Sequence, residues 1–403
     1  MTSPLIIHLV YAFFAIVFLL PCVSASLYYG LFVLFRVLGY RSHYSESTGP
    51  SRRYAILIPA HNEEDVIGTT LESANQLDYP KEQYTVYVIA DNCTDQTANV
   101  VRSHKNEVLE RFDEVNRGKG QALAWAFNQI LQLDYDAIVV LDADCTIDAN
   151  ALNVFEFALN QGKKVLQSHY FVGNPDESEI SFAAAIGNVL EYELFYASKS
   201  SCGFSVMLVG TGMVFDKSVL CSHPWNATSL TEDAEYTVLL AKSDIPVHFV
   251  SNIRITQDAS SKHSQLKVQR ARWAKGTSNL AAKQAPRLIF NGLLRGKWYQ
   301  VDLGITLFLV SRAFILCFVL LTVFLSLILY AVFRDSLGLL FVIMSCCSLL
   351  INFVCVFLAL FFVGLTKKRL GFLLRSPITL IQMGWLSLGS FFGKEQSWSK
   401  TPR

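Results

Sequence analysis

The chain has 403 residues, of which 52% are apolar and only 17% are charged, and its formal net charge is +1. Soluble proteins carry about 25% charged residues, so this composition excludes a fully soluble enzyme and a disordered chain. The near-zero balance also excludes a basic nucleic-acid-binding protein.

The charged residues are concentrated in the middle of the chain. One falls in residues 1–40, 54 fall in residues 41–300 and eight fall in residues 301–393. This distribution predicts a water-soluble domain between two membrane-embedded ends. We expect an N-terminal transmembrane segment over residues 1–40, a soluble domain over 41–297, and C-terminal interfacial and transmembrane helices over 298–403.

The first predicted element is a membrane span. Between Leu5 and Leu38, Arg36 is the only charged residue, and about 20 apolar residues suffice to cross a bilayer. A cleaved signal peptide is the alternative, but no basic segment precedes the apolar run, which continues past Ser26. Positive charges follow this span, which predicts a cytoplasmic soluble domain on a plasma or bacterial inner membrane.

From Tyr54 onward, short apolar runs alternate with helical patterns. Strands are predicted over 54–59, 85–90 and 137–141, and helices over 65–76, 95–103 and 120–133. Such alternation predicts an α/β fold with a mostly parallel sheet. No GxGxxG follows the first strand and no P-loop motif occurs, which disfavours dinucleotide and P-loop enzymes.

Polar residues follow each of these predicted strands, where ligands collect in α/β sheets. His61 and Glu63 follow the first strand, Asp91 ends the second, and Asp142 and Asp144 follow the run at 137–141. Two carboxylates one residue apart suit Mg²⁺ or Mn²⁺ on a diphosphate. Turn or capping chemistry is the structural alternative for an isolated pair of this kind.

A further strand is predicted over 206–215. It precedes Glu232 and Asp233, which we call the acidic turn. Thr231 is a suitable N-cap for a helix over 234–242, and acidic residues favour a helix N-terminus, so capping is one interpretation of this turn. In the functional interpretation one carboxylate, best Asp233, is a general base that takes a proton from an attacking hydroxyl.

The sequence at 269–273 is Gln-Arg-Ala-Arg-Trp, shortly before the C-terminal apolar region. One of its two arginines suits phosphate oxygens, and an interfacial helix anchored by tryptophan is the alternative interpretation. Two apolar segments, 313–333 and 336–365, then predict a transmembrane hairpin. The segment 370–392 suits an interfacial helix or a span, and both interpretations stay open.

Taken in order, these elements resemble the membrane-embedded family 2 glycosyltransferases, the group of cellulose, hyaluronan, chitooligosaccharide and poly-N-acetylglucosamine synthases. The resemblance covers nearly the whole chain and implies a Rossmann-like GT-A domain flanked by transmembrane helices. The matching motifs are PAHNEE (59–64), DNCTD (91–95), RGKG (117–120), DAD (142–144), GTG (210–212), TED (231–233) and QRARW (269–273).

The resemblance also implies roles for individual residues within these motifs. Asp144 would bind Mg²⁺ or Mn²⁺, and Asp233 would be the catalytic base. Donor binding is implied for Ala60, His61, Glu63, Asp91, Lys119, Asp142 and Arg272. Acceptor binding is implied for Glu232, Gln269, Arg270 and Trp273.

The implied reaction is inverting transfer from a UDP-sugar, either UDP-glucose or UDP-N-acetylglucosamine. The leading hypothesis is a synthase that builds a β-linked exopolysaccharide at the membrane. Its spans are few for a pore, so secretion would need a homo-oligomer or a partner. The alternative is transfer of a single sugar to a lipid acceptor among the membrane lipids, similar to ceramide glucosyltransferases. A scaffold that retains an inactive transferase domain is a third hypothesis.

Overall fold

The protein is represented by a computed structural model. It describes residues 4–47, 49, 51–227, 229, 231–259, 263–309 and 312–375, except for the side chains of residues 4 and 263–274.

A single eight-stranded sheet runs through the middle of the described chain. Its strands are β1 (Tyr54–Ala60), β2 (Tyr84–Asp91), β3 (Glu107–Arg111), β4 (Ala137–Val140), β5 (Cys145–Ile147), β6 (Val165–Val172), β7 (Met213–Asp216) and β8 (His248–Gln257). Their order is β3-β2-β1-β4-β7-β6-β8-β5. The pairs β1–β2, β1–β4, β2–β3 and β6–β8 are parallel, whereas β7 pairs antiparallel with β4 and β6, and β5 antiparallel with β8.

A helical stretch at residues 367–375 follows fourteen numbered α-helices. They are α1 (Pro4–Phe14), α2 (Leu20–Val37), α3 (Ile67–Asn75), α4 (Thr97–Ser103), α5 (Lys119–Ile130), α6 (Ala151–Asn160), α7 (Glu179–Asn188), α8 (Ala197–Ser201), α9 (Lys217–Ser222), α10 (Glu232–Lys242), α11 (His263–Arg295), α12 (Trp298–Phe308), α13 (Arg312–Phe333) and α14 (Ser336–Val363). Two π-helical segments, Ala15–Leu19 and Val189–Tyr196, join α1 to α2 and α7 to α8.

The sheet is covered on both faces, which explains the continuous apolar runs of its central strands. Leu57 and Val140 pack with Leu123 of α5 in one core. Their neighbours Ile56 and Val139 point to the opposite core, formed with α3 and α6. The expected α/β fold is confirmed, and the three strands predicted first correspond to β1, β2 and β4.

The prediction of a strand over 206–215 is wrong for most of its length, since only Met213–Asp216 pairs in the sheet. Gly210 and Gly212 have φ angles of +83° and +63°, which are incompatible with a regular strand. Side chains hold this segment instead. The Val209 N–H donates to Oε1 of Gln167 at 3.0 Å, and the Leu208 N–H donates to the Thr237 hydroxyl at 3.0 Å.

Within the described residues, three helical stretches are long and apolar enough to cross a membrane: Leu5–Val37, Arg312–Phe333 and Ser336–Val363. They pack against one another through polar pairs as well as apolar side chains. The Asn352 amide donates to the Ser26 hydroxyl at 2.9 Å, and the Ser326 and Ser345 hydroxyls are 2.9 Å apart. Residues 367–375 are helical, and the remainder of the open segment 370–392 lies outside the described part.

A buried charged cluster joins the sheet domain to the apolar helices. Lys199 of α8 is fully buried, and its Nζ lies 2.8 Å from Oδ2 of Asp302 on α12. The Tyr28 hydroxyl of α2 donates to the other oxygen of Asp302 at 2.6 Å, and Lys199 also donates to Thr306 at 2.7 Å. Three helices are therefore held together at one ion pair.

Candidate active site

Apart from Lys119, the sequence-predicted site residues of the first half of the chain lie at the carboxyl ends of β1, β2 and β4. Because β1 pairs in parallel with both neighbours, the ends of the three strands meet at one edge of the sheet. This edge carries the Ala60–Glu63 loop, Asp91 and the Asp142–Asp144 turn. One sheet edge therefore collects most of the residues assigned to donor binding together with Asp144, which is assigned to the metal.

The Asp91 carboxylate is held by an arginine that the sequence analysis did not select. Nη1 of Arg111, the last residue of β3, donates to Oδ1 of Asp91 at 2.6 Å, and both side chains are buried. Burial raises the pKa of Asp91, and the Arg111 guanidinium works in the opposite direction. The ion pair thus presents a fixed carboxylate at the end of β2.

The loop after β1 is tied to the end of β2. Nδ1 of His61 lies 2.7 Å from the Asp91 carbonyl oxygen, and the Glu63 N–H donates to the Thr97 hydroxyl at 2.8 Å. The Ala60 carbonyl accepts from the Cys93 thiol at 3.5 Å. These contacts bring Ala60, His61 and Glu63 beside Asp91, as expected for residues that share one ligand.

Lys119, the first residue of α5, connects two parts of the site. Its Nζ bonds to Oδ1 of Asp142 and donates to the Gly210 carbonyl at 2.7 Å. Burial alone would lower the pKa of Lys119, but the negative charges of Asp142, Glu232 and Asp233 outweigh burial and raise it. The ammonium therefore stays charged and faces all three carboxylates.

Glu232 and Asp233 form the first turn of α10. Burial, followed by the charge of Asp233, raises the pKa of Glu232 to about 7. Burial also raises the pKa of Asp233, although its own hydrogen bond from the Ala234 N–H, at 2.7 Å, and Lys119 oppose this effect. A buried carboxylate of raised pKa is suited to accept a proton near neutral pH.

Glycines allow the backbone to approach closely at this turn. A Cβ atom on Gly210 would lie 3.0 Å from Nζ of Lys119 and 3.4 Å from Oδ2 of Asp233. A Cβ atom on Gly120 would lie 2.6 Å from the Ala227 carbonyl and 3.1 Å from Cβ of Glu232. Glycine at both positions lets the ammonium reach the acidic turn.

The expected N-cap role of the Thr231 side chain is not observed. Thr231 occupies the N-cap position of α10, but its buried hydroxyl makes no capping bond there and has no hydrogen-bond partner among the described residues. A Cβ atom on Gly276 of α11 would lie 2.9 Å from that hydroxyl oxygen. The helix that carries the 269–273 motif thus passes directly against the acidic turn.

Four of the predicted site residues lie on α11 with side chains outside the described part, so their assigned contacts remain predictions. They are Gln269, Arg270, Arg272 and Trp273.

The turn after β4 provides a set of ligands that fits a divalent cation. Ligand atoms of Asp142, Asp144 and Cys145 all lie within 4.8 Å of one another. Burial and the charges of Asp142 and Asp144 raise the pKa of the Cys145 thiol, which keeps it protonated and unsuited to metal binding. Two carboxylates remain, and hard oxygen ligands match Mg²⁺ or Mn²⁺.

Arg111, Thr211 and Gln257 also contribute to this site, although the sequence analysis assigned a role to none of them and named Thr211 only as part of the GTG motif. Arg111 lies opposite Asp91 in the β2–β3 register, so a charged residue ending a strand was its only signal. The Thr211 hydroxyl accepts from the Asp142 N–H at 3.1 Å. Gln257 donates to Oδ1 of Asp144 at 2.6 Å across 113 residues of sequence, and no local pattern predicts that contact.

The fold agrees with comparisons to known proteins. A mannosyltransferase from Pyrobaculum calidifontis, solved in complex with GDP-Man and Mn²⁺, superimposes with a TM-score of 0.58 at 14% identity, covering 95% of this chain and 98% of that one. This similarity concerns the fold alone. It agrees with the expected GT-A domain flanked by apolar helices.

Two of the curated relatives are similar to this chain over more than half of its length. Beta-monoglucosyldiacylglycerol synthase of Nostoc sp. (strain PCC 7120) is 29% identical over 248 residues, which are 59% of this chain and 51% of that protein. Poly-beta-1,6-N-acetyl-D-glucosamine synthase of Staphylococcus aureus (strain MSSA476) is 26% identical over 228 residues, 55% of this chain and 53% of that protein. The chain spans about half the length of the curated relatives it matches.

The model of the family described as "Glycosyltransferase like family 2" matches residues 50–276. That range is more than half of the chain, and it includes β1 through the 269–273 motif. The protein is therefore an enzyme that belongs to glycosyltransferase family 2.

Proposed function

We propose that this enzyme transfers a hexose, with inversion, from a UDP-sugar to an acceptor held at the membrane surface. The observation that carries the proposal is the position of Lys119. Its ammonium bonds to Asp142 at the strand edge assigned to the donor, and it faces Glu232 and Asp233 on the acidic turn. Donor and base would thus share one electrostatic site.

On the donor side, Asp91 and the loop at Ala60, His61 and Glu63 would hold the uracil and ribose. Asp142 and Asp144 would hold Mg²⁺ or Mn²⁺ on the diphosphate. The cation, when bound, would neutralise the charge that develops on the diphosphate as it leaves. The ammonium of Lys119, which contacts Asp142, would stabilise the same negative charge.

On the acceptor side, Asp233 would be the base. An acceptor hydroxyl oxygen would attack the anomeric carbon from the face opposite the diphosphate, and Asp233 would take the hydroxyl proton. One C–O bond forms as the bond to the diphosphate breaks, which releases UDP. A single displacement inverts the anomeric centre, so an α-linked UDP-glucose or UDP-N-acetylglucosamine would give a β-linked product.

We favour a membrane lipid as the acceptor. The three apolar helices pack directly on one another through buried pairs such as Ser326 with Ser345, and α11, which carries the 269–273 motif, leads through α12 into α13. A lipid hydroxyl arriving along this path would meet the acidic turn. The relative from Nostoc, named for a glucosyldiacylglycerol product, supports this choice.

A β-linked exopolysaccharide is the second candidate product. The observation in its favour is the Gln-Arg-Ala-Arg-Trp sequence at 269–273 together with the poly-N-acetylglucosamine synthase relative. This product would require a route across the membrane, which a homo-oligomer would supply. In both cases we propose a cytoplasmic domain over 41–297, between membrane regions at 1–40 and 298–403.

The test is product analysis with a base variant. Purified protein in lipid vesicles is incubated with Mn²⁺ and radiolabelled UDP-glucose or UDP-N-acetylglucosamine, and products are separated into organic-extractable and polymeric fractions. A singly glycosylated lipid indicates the first acceptor, and a size ladder indicates the second.

Asp233→Asn should lower turnover by about 10²–10⁴-fold, the usual contribution of a general base, and leave UDP binding within about threefold of wild type. Glu235→Gln, two residues along α10 from Asp233, is the matched control and should keep its activity. Full turnover in Asp233→Asn, or the absence of sugar transfer by the wild-type enzyme, would contradict the proposed function.

A further inference from the structure

Gln257, the last residue of β8, contacts the residue assigned to the metal. Its Nε2 donates to Oδ1 of Asp144 at 2.6 Å. Its backbone lies in register with Cys145 of β5, the residue that follows Asp144. Side chain and main chain of one residue therefore reach the same short turn.

The loop that follows β6 forms hydrogen bonds to the end of β8 and to the residues just after it. The Gly173 N–H donates to the Gln257 carbonyl at 2.9 Å. A Cβ atom on Gly173 would lie 2.7 Å from Oδ1 of Asp258 and 2.9 Å from Cγ2 of Thr256, so a larger residue there would have to displace the ends of these two side chains. Asn174 then bonds to both the N–H and the carbonyl of Ala259, at 2.8 and 3.0 Å. The strand end that carries Gln257 is thus held in place.

The two carboxylates of the turn have chemically different partners. Asp142 bonds to the ammonium of Lys119, which offsets part of its negative charge. Asp144 receives a neutral amide N–H from Gln257, which restricts rotation of the carboxylate but adds no positive charge next to a cation. The Gln257 amide thus sets the orientation of the Asp144 carboxylate without adding a charge of its own.

We propose that Gln257 is a positioning residue that orients Asp144 for the divalent cation, an inference that rests on the proposed function, in which Asp144 binds that cation. Groups that hydrogen-bond to metal-binding carboxylates set ligand orientation, and removing them costs about 10–100-fold in metal affinity. The hydrogen bond from the Gln257 amide to the Asp144 carboxylate supports this role.

The test measures Mn²⁺ binding directly. Full-length protein in detergent, saturated with UDP, is titrated with MnCl₂ by calorimetry, and the Mn²⁺ electron paramagnetic resonance spectrum is recorded. Gln257→Met keeps the length of the side chain and removes the amide donor, and we expect it to weaken Mn²⁺ binding about 10–100-fold. Gln257→Asn, shorter by about 1.5 Å, should give an intermediate loss.

Three controls separate the possible outcomes. Thr256→Val, the neighbouring position on the opposite face of β8, should bind Mn²⁺ like wild type. Asp144→Asn should abolish Mn²⁺ binding; if it does not, the metal assignment of the proposed function fails. If Asp144→Asn loses Mn²⁺ but Gln257→Met matches Thr256→Val, the role of Gln257 alone is refuted. Loss of metal-free UDP binding in Gln257→Met would also overturn the inference, because it would reveal a general structural defect.

Discussion

Replacing Lys119 with methionine tests the link between the donor edge and the acidic turn. Methionine preserves most of the length of the side chain but removes its charge and its bonds to Asp142 and the Gly210 carbonyl. The Asp142 carboxylate then loses its cation, and Glu232 and Asp233 lose the positive charge that lowers the pKa of both.

The expected loss can be derived from these contacts. A hydrogen bond to a charged group contributes about 1.5–3 kcal/mol, and Lys119 makes two bonds of this kind. If about 3 kcal/mol of this stabilisation acts in the transition state, kcat/KM falls about 150-fold, since about 1.4 kcal/mol corresponds to a factor of ten.

The pH profile should change as well. Without the ammonium, Glu232 and Asp233 hold a proton more tightly, so the rising limb of kcat/KM against pH should move to higher pH. The double variant Lys119→Met/Glu232→Gln removes one charge of each sign and should move the limb back. Initial rates with the radiolabelled donor between about pH 5 and 9 would show both effects. A rate within about twofold of wild type, with an unmoved limb, would refute the electrostatic link.

Two further predictions concern buried charges. Burial raises the pKa of Glu232 to about 7, above its value in the unfolded chain, so the folded state loses stability as pH rises from about 4.5 to 7. Glu232→Gln should therefore raise the thermal midpoint relative to wild type more at pH 8 than at pH 5. Glu235→Gln should show no such difference, and an equal change for Glu232→Gln at both pH values would contradict the burial argument. Lys199→Met leaves Asp302 buried without its cation and should destabilise the protein by about 3–5 kcal/mol, measured as denaturation in detergent. Lys199→Met/Asp302→Leu should recover most of that loss, and a single variant as stable as wild type would show that the ion pair contributes nothing.

Much of the architecture could be predicted from local sequence. The sequence segments 54–59 and 137–141 are continuously apolar because both faces of the central strands are buried. The apolar helices were predictable because length and the near absence of charge are sufficient to define a membrane-crossing segment. The error at 206–212 arose because Gly210 and Gly212 adopt positive φ, a choice that the apolar pattern around them does not reveal.

The candidate site divides in the same way. The proximity of Asp142 and Asp144 follows from their spacing, and the gathering of Asp91 with the Ala60 loop follows from parallel pairing. The hydrogen-bond and ion-pair partners of these residues cannot be derived from the local sequence. Arg111 reaches Asp91, Lys119 reaches Asp142 and Gly210, and Gln257 reaches Asp144.

The sequence by itself determined which residues carry charge and which apolar segments are predicted as membrane spans or as buried strands, because these properties depend on local composition and periodicity. Only the tertiary structure decided which carboxylate meets an ammonium, a guanidinium or a neutral amide. Those pairings depend on strand order, close approach at glycines and burial, which arise from contacts between residues far apart in the chain.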